Sequence, residues 1–232
     1  MTDFLYPFIE AQEDDPGALL ADLAASARAK AAESAALQES SLEELEDAIR
    51  ACAIAMAGRF ARGGRLYTFG NGGSSTDAAT LASLFAHPAA GRPLPAWSLT
   101  ADQAVVTALG NDVGFELIFS RQVIAHSKPV DMVVAMSASG SSDDLVAALA
   151  EARRRELLTI GFAGYDGGRM GELAAAGELD HCFTIRSQSI HRIQESQARV
   201  AHRLWLLTQA HLSTRRRTSP ATTPATSQGG AR

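Results

Sequence analysis

Short apolar runs alternate with longer amphipathic stretches over most of the chain. Five runs, at residues 66–69, 96–99, 132–136, 158–162 and 182–185, are bounded by glycine, proline or polar residues and read as buried strands. Between them, residues 74–85, 115–125, 142–154 and 169–175 carry apolar positions at helical spacing. Strand and helix in this alternation predict an α/β fold on a parallel sheet, since parallel neighbours need a crossover and a helix supplies one.

Helices are also predicted on either side of this unit. Residues 16–38 are rich in alanine, leucine and charged side chains that lose little rotamer freedom in a helix. Ser40 and Ser41 before Glu43 and Glu44 form a candidate capping box, and Leu42, Leu45, Ile49, Cys52, Ala53 and Met56 follow at helical spacing. The pattern predicts a second helix ending near residue 62, before Gly63-Gly64. These two helices could cover the sheet or join a bundle between subunits, and the second arrangement is the expected one. A long last helix over 190–211 places Ile193, Val200, Leu204 and Leu207 on one side. The chain thus divides into an N-terminal extension (1–15), a helical oligomerisation segment (16–62), the α/β domain (63–212) and a tail (213–232). Proline, threonine, serine and glycine without apolar period predict disorder in that tail.

Composition narrows the class of function. A chain of 232 residues, 46% hydrophobic, has material for one principal core. Its net charge of −5 argues against a general nucleic-acid surface, and only the arginines near the C-terminus cluster. Cys52 and Cys182 lack metal-ligand spacing and read as reduced thiols. The N-terminus has no signal-peptide pattern, and no apolar stretch is long enough to cross a bilayer, so a cytoplasmic protein is expected.

Candidate chemistry lies in two loops. Gly70-Asn71-Gly72-Gly73-Ser74 joins the first strand to a helix, where glycines permit tight turns and helix-start amides can donate to an anion. The segment lacks the third glycine of a dinucleotide fingerprint, where Ser75 stands, and the Gly-Lys-Ser/Thr of a nucleotide P-loop. After the third strand, Ser137-Ala138-Ser139-Gly140-Ser141-Ser142 presents clustered hydroxyls just before another helix. Hydroxyls and helix amides together can surround a phosphate without any lysine. Asp143 and Asp144, which would repel a dianion if they pointed inward, are expected to face solvent.

These two loops, with Gly110-Asn111-Asp112, Phe119-Ser120-Arg121 and Arg192-Ile193-Gln194-Glu195 in this order and spacing, resemble the bacterial phosphoheptose isomerases over roughly residues 40–210. The resemblance implies a SIS (sugar isomerase) fold with a five-stranded parallel sheet, a homotetramer joined through helices, and sedoheptulose 7-phosphate as the family substrate. It implies a phosphate site at Ser74, Ser137, Ser139 and Ser142, with Asn71, Gly72, Gly73, Asp112, Ser141 and Gln194 as further substrate contacts. It also offers Asp102 and His202 as catalytic candidates, His202 as a general acid, while His191 stands where the family often has an acid. A related branch resembles a replication-initiator-associated protein, which binds a partner instead of turning over a sugar.

The sequence departs from the isomerase pattern at a decisive place. That pattern holds a metal with a histidine six residues after the first-loop serine, a glutamate four residues later, and the glutamine and histidine matched here by Gln194 and His202. In this chain Thr80 and Leu84 occupy the first two positions. Leucine neither binds a metal nor accepts a proton, and threonine is a poor zinc ligand. No cofactor is therefore expected, and Gln194 and His202 would be ligands only if zinc bound after all. His87 would need a register shift to take part. Three functions follow: a sugar-phosphate-binding protein with isomerase chemistry altered or lost, an active ketose/aldose phosphate isomerase, or a partner-binding adaptor.

Overall fold

A computed structural model describes residues 15–218. One parallel sheet carries β1 (Leu66–Gly70), β2 (Ala96–Ser98), β3 (Met132–Met136), β4 (Leu158–Gly164) and β5 (His181–Ile185) in the order β2-β1-β3-β4-β5. The five apolar runs mark these strands to within two residues at each end. Every residue of β1, β3 and β4 is buried, as continuous apolar runs require when helices cover both faces. Side chains alternate between two cores: Leu66, Val134, Ile160 and Phe162 lie in one, and Tyr67, Phe69, Val133 and Ala135 in the other.

The first core is closed by α1 (Pro16–Ala61), α2 (Gly73–Ala86) and α7 (Ile190–Thr218). The second is closed by α4 (Ile118–His126), α5 (Asp143–Arg154) and α6 (Gly168–Ala175). Helix α3 (Gln103–Asp112) was not marked by the sequence pattern, and the expected helix over 115–125 begins as a 3-10 turn at Phe115–Leu117 before α4. No residue of α3 or of this turn is buried, so no apolar stripe was needed to form them.

The N-terminal region corrects the expectation of two helices, since α1 runs unbroken for 46 residues. Its start is set by Asp15, whose side chain accepts from the Ala18 amide at 3.0 Å, with Pro16 at the first helical position. Ser40 and Ser41 do not cap a second helix. Ser40 donates its hydroxyl to the Leu37 carbonyl one turn back, and Ser41 is buried. The halves of α1 also differ. Ile49, Cys52, Ala53, Met56 and Ala57 pack into the first core, which makes the second half a cover for the sheet, whereas Leu19, Leu20 and Leu23 stand exposed.

At the other end α7 passes the expected stop at residue 211 and continues to Thr218, so residues 213–218 are helical. The remainder of the tail (219–232) and residues 1–14 lie outside the described residues. Among the described residues, no helix is long and apolar enough to cross a membrane.

Candidate functional site

The sheet order reverses direction between β1 and β3, and in open α/β sheets ligands bind beyond the strand C-termini at such a point. Both candidate loops leave the sheet there. Gly70 closes β1 where only a hydrogen side chain fits: a Cβ would lie 2.6 Å from the Ser74 carbonyl oxygen and 2.7 Å from that of Met136. Gly72 then takes a φ of 53° at the N-cap of α2, a conformation glycine adopts without strain.

A cavity of about 260 Å3 opens between the loops, lined by Asn71, Gly73, Ser74, Ser137, Ser139 and Ser142, with Tyr165, Ile190 and Gln194 on its far side. The N-termini of α2 and α5 both open onto it, and no lysine or arginine lines it. Four hydroxyls and two helix starts thus face one space, which suits a phosphate or another small anion. Ser142 occupies the N-cap of α5, yet its hydroxyl makes no capping bond and lines the cavity instead.

The serine loop is held from several sides. The Ser137 hydroxyl accepts from the Gly140 amide at 3.0 Å and lies 3.4 Å from that of Ser139. The buried Gln197 amide donates to the Ser137 carbonyl oxygen at 2.8 Å. Tyr165 has a φ of 54°, uncommon for a residue with a side chain and of the kind that recurs at ligand sites. Sequence reasoning missed Gln197 and Tyr165, since neither a loop-bracing amide nor a positive φ at tyrosine leaves a local signal.

Asp144 corrects an expectation. Its carboxylate is buried and accepts both bonds from the Asn71 side-chain amide, at 2.8 and 3.0 Å, so it ties one loop to the other rather than facing solvent. The amide N–H groups and the α5 N-terminus satisfy the charge that burial would otherwise penalise. Asp143 does face outward, where it pairs with Arg169.

Not every expected contact is on this cavity within one chain. Ser141 is exposed and serves the loop, its hydroxyl accepting from the Arg169 amide at 3.2 Å. Gly72 lies behind the loop, on a separate cavity bordered by α3. Asp112 ends α3 in an exposed position and accepts from Asn111 at 2.7 Å. Asp102 follows the edge strand β2 and caps α3, accepting from the Ala104 and Val105 amides at 3.1 Å each. It borders a different pocket, beside Tyr67 and Trp97. His191 is exposed, and His87 forms the C-cap of α2.

The other half of the expected chemistry collects further along α2. Thr80, Leu84 and His202 line one chamber of about 60 Å3 together with Asp77, Leu81 and Met136. Gln194, on the wall of the serine cavity, donates to Asp77 at 2.9 Å, and Met136 lines both spaces, so the two are neighbours. Gly73 permits this approach, because a Cβ there would lie 2.7 Å from Gln194 Nε2. Burial pushes the Asp77 carboxyl above its ordinary value, and the Gln194 bond offsets part of that rise. Asp77 was passed over in the sequence because its partner lies 117 residues away.

The chamber does not fit zinc. Leu84 has no ligand atom, and the Thr80 hydroxyl already donates to the Thr76 carbonyl oxygen at 2.9 Å. The Gln194 amide is engaged by Asp77, and the His202 ring lies 5.4 Å from the ring of Trp205. Among the described residues no group of three or more histidine, cysteine, aspartate or glutamate side chains is placed to hold a metal ion.

Comparison with known proteins places the fold and the family. The family model of the SIS domain matches residues 31–164. The phosphoheptose isomerase of Nitratidesulfovibrio vulgaris is 38% identical over 184 residues, covering 78% of this chain and 86% of that protein. That of Desulfovibrio desulfuricans is 40% identical over 187 residues, covering 79% and 86%. The solved phosphoheptose isomerase of Neisseria gonorrhoeae superposes with a TM-score of 0.74 at 29% identity, over 81% of this chain and 99% of that one. With the five-stranded sheet and the paired serine loops in place, the chain belongs to the SIS-domain family and, within it, to the phosphoheptose isomerase family.

Proposed function

We propose that this chain binds a sugar phosphate between the glycine loop and the serine loop, and that the metal-assisted isomerase chemistry of its relatives is lost. The observation that carries this reading is the contrast within one helix: Ser74 lines a hydroxyl-rich cavity, while Thr80 and Leu84 bring neither an imidazole nor a carboxylate to the chamber they line. A phosphate in the serine cavity would meet hydroxyl donors and the positive ends of two helix dipoles, with no nearby unpaired carboxylate to repel it. Moving a proton between adjacent sugar carbons needs a positioned base and an acid, and losing the base costs roughly 10² to 10⁴ in rate. Leu84 supplies neither.

His202 and Asp77 share the chamber, which supports a second reading, a metal-independent isomerase using these two groups. Formation of the aldose from a ketose phosphate such as sedoheptulose 7-phosphate would establish it. The exposed Leu19, Leu20 and Leu23 on the outer half of α1 support assembly through helices, in keeping with a homotetramer.

Calorimetric titration with a panel of sugar phosphates tests the main reading. Binding that weakens about 10- to 100-fold in Ser139→Ala is the expected result. No binding at millimolar ligand would overturn it.

A further inference from the structure

Thr80 and Leu84 remove a metal site, but they also leave something in its place. The chamber they border has a floor of buried apolar side chains, Leu81, Met136 and Ala201, and Leu84 on its wall. One Asp77 carboxylate oxygen accepts from Gln194, the Thr80 hydroxyl is turned back to its own helix, and His202 stands exposed at the rim beside Trp205. Against the floor of Leu81, Met136 and Ala201 water gains few hydrogen bonds, and a ligand hydroxyl placed there would give up its hydration with little return. An apolar group of one or two carbons gains instead, because it leaves water for a surface already apolar.

The chamber's position says which part of a ligand would meet it. It adjoins the serine cavity through Met136 and the Gln194–Asp77 bond. Thr80 lies six residues beyond Ser74, about 9 Å along the helix axis. A phosphosugar anchored at Ser74, Ser137, Ser139 and Ser142 therefore extends its far end, not its phosphate, along α2 toward Leu84.

We propose that this chamber is a specificity pocket for a methyl group at the end of the ligand remote from the phosphate. The ligand class is then a methyl-terminated phosphosugar, either a 1-deoxyketose phosphate or a sugar phosphate bearing an acetamido group. This assignment rests on the phosphosugar-binding reading above and narrows it.

Paired ligands test it on the intact chain. 1-Deoxyxylulose 5-phosphate and xylulose 5-phosphate differ only by a methyl in place of a hydroxymethyl group, and N-acetylglucosamine 6-phosphate is compared with glucosamine 6-phosphate and glucose 6-phosphate. In calorimetric titrations, at least one methyl-bearing ligand should bind about tenfold tighter than its hydroxyl or amino counterpart, the discrimination an apolar pocket gives one carbon. The pair showing the preference identifies which methyl-bearing class is taken. Leu84→Gln should remove most of that preference. Thr80→Val, which makes the rim more apolar, should keep or enlarge it and serves as a second variant if Leu84→Gln folds poorly. Equal affinity within both sets, or a preference that survives Leu84→Gln, would overturn the assignment while leaving phosphosugar binding intact. Failure of every ligand to bind at millimolar concentration would instead overturn the binding reading itself, and the assignment with it.

Discussion

The two ends of α2 face opposite environments. At the N-terminus, Gly73 and Ser74 open onto a cavity of hydroxyls and helix-start amides braced by Gln197 and by the Asp144–Asn71 tie. Two to three turns later, Thr80 and Leu84 look into a chamber floored by Leu81 and Met136. In the isomerase pattern both ends are polar, one for the phosphate and one for the reacting carbons. Here one end lines a hydroxyl-rich cavity and the other a chamber with an apolar floor. On the proposed reading, affinity for a phosphosugar and chemistry upon it are separable properties of one helix, and changes at one end should leave the other largely untouched.

The sharpest way to break the comparison is to rebuild the second end. The double substitution Thr80→His and Leu84→Glu places an imidazole and a carboxylate on the chamber that already holds His202 and adjoins Gln194. Zinc affinity should rise from unmeasurable to micromolar, a total binding free energy on the order of 8 kcal/mol. A zinc titration showing no change would mean that these positions do not converge as described. Next in size is the anchoring end, where Ser139→Ala removes one hydroxyl from the anion. Sugar-phosphate affinity should fall about 10- to 100-fold with little change in thermal stability, since hydrogen bonds to charged groups contribute about 1.5–3 kcal/mol. An unaltered affinity would remove Ser139 from the site.

A smaller effect is expected from the tie between the loops. Asp144→Ala frees the Asn71 amide, which should destabilise the fold by about 1 kcal/mol and weaken phosphosugar binding several-fold. Equal binding with reduced stability would make Asp144 a purely structural residue. The smallest effect concerns Asp77. Burial holds its carboxyl above the ordinary 3.8, so the folded chain binds that proton more tightly than the unfolded one. Its contribution to stability is present below pH 3.8 and is lost as pH rises through the folded value. Asp77→Asn removes this loss, so the variant should gain on the parent as pH increases from about 4 toward neutrality. Parallel denaturation midpoints across that range would show that the Gln194 bond fully offsets burial.

Much of this architecture was legible in the sequence because buried parallel strands leave continuous apolar runs. The glycine and serine loops were legible too as strand-to-helix turns, and the structure brings both to one cavity, since glycine and clustered serine report backbone geometry and donor chemistry directly. Other features depended on partners distant in the chain. Ser40 and Ser41 mimic a helix start, but a serine can bond back to its own helix, and the packing of Ile49 and Met56 carries α1 straight through. Asp144 looked like a solvent-facing helix-dipole charge until Asn71, 73 residues earlier, was seen to take it inward. Asp102 and Asp112 entered by resemblance alone, and within one chain each is occupied near α3, away from the serine cavity. Thr80 and Leu84 were readable as departures from the isomerase pattern. That they border a shared chamber with His202 required the packing of α2 against α7.

The central claim is that the chain holds a phosphosugar without metal-assisted turnover. It is tested most directly by titrating the wild-type protein with sedoheptulose 7-phosphate, with and without zinc, while following aldose formation in the same samples. Saturable binding that is indifferent to zinc and yields no zinc-dependent product is the predicted result. Zinc-dependent formation of the aldose phosphate would contradict it.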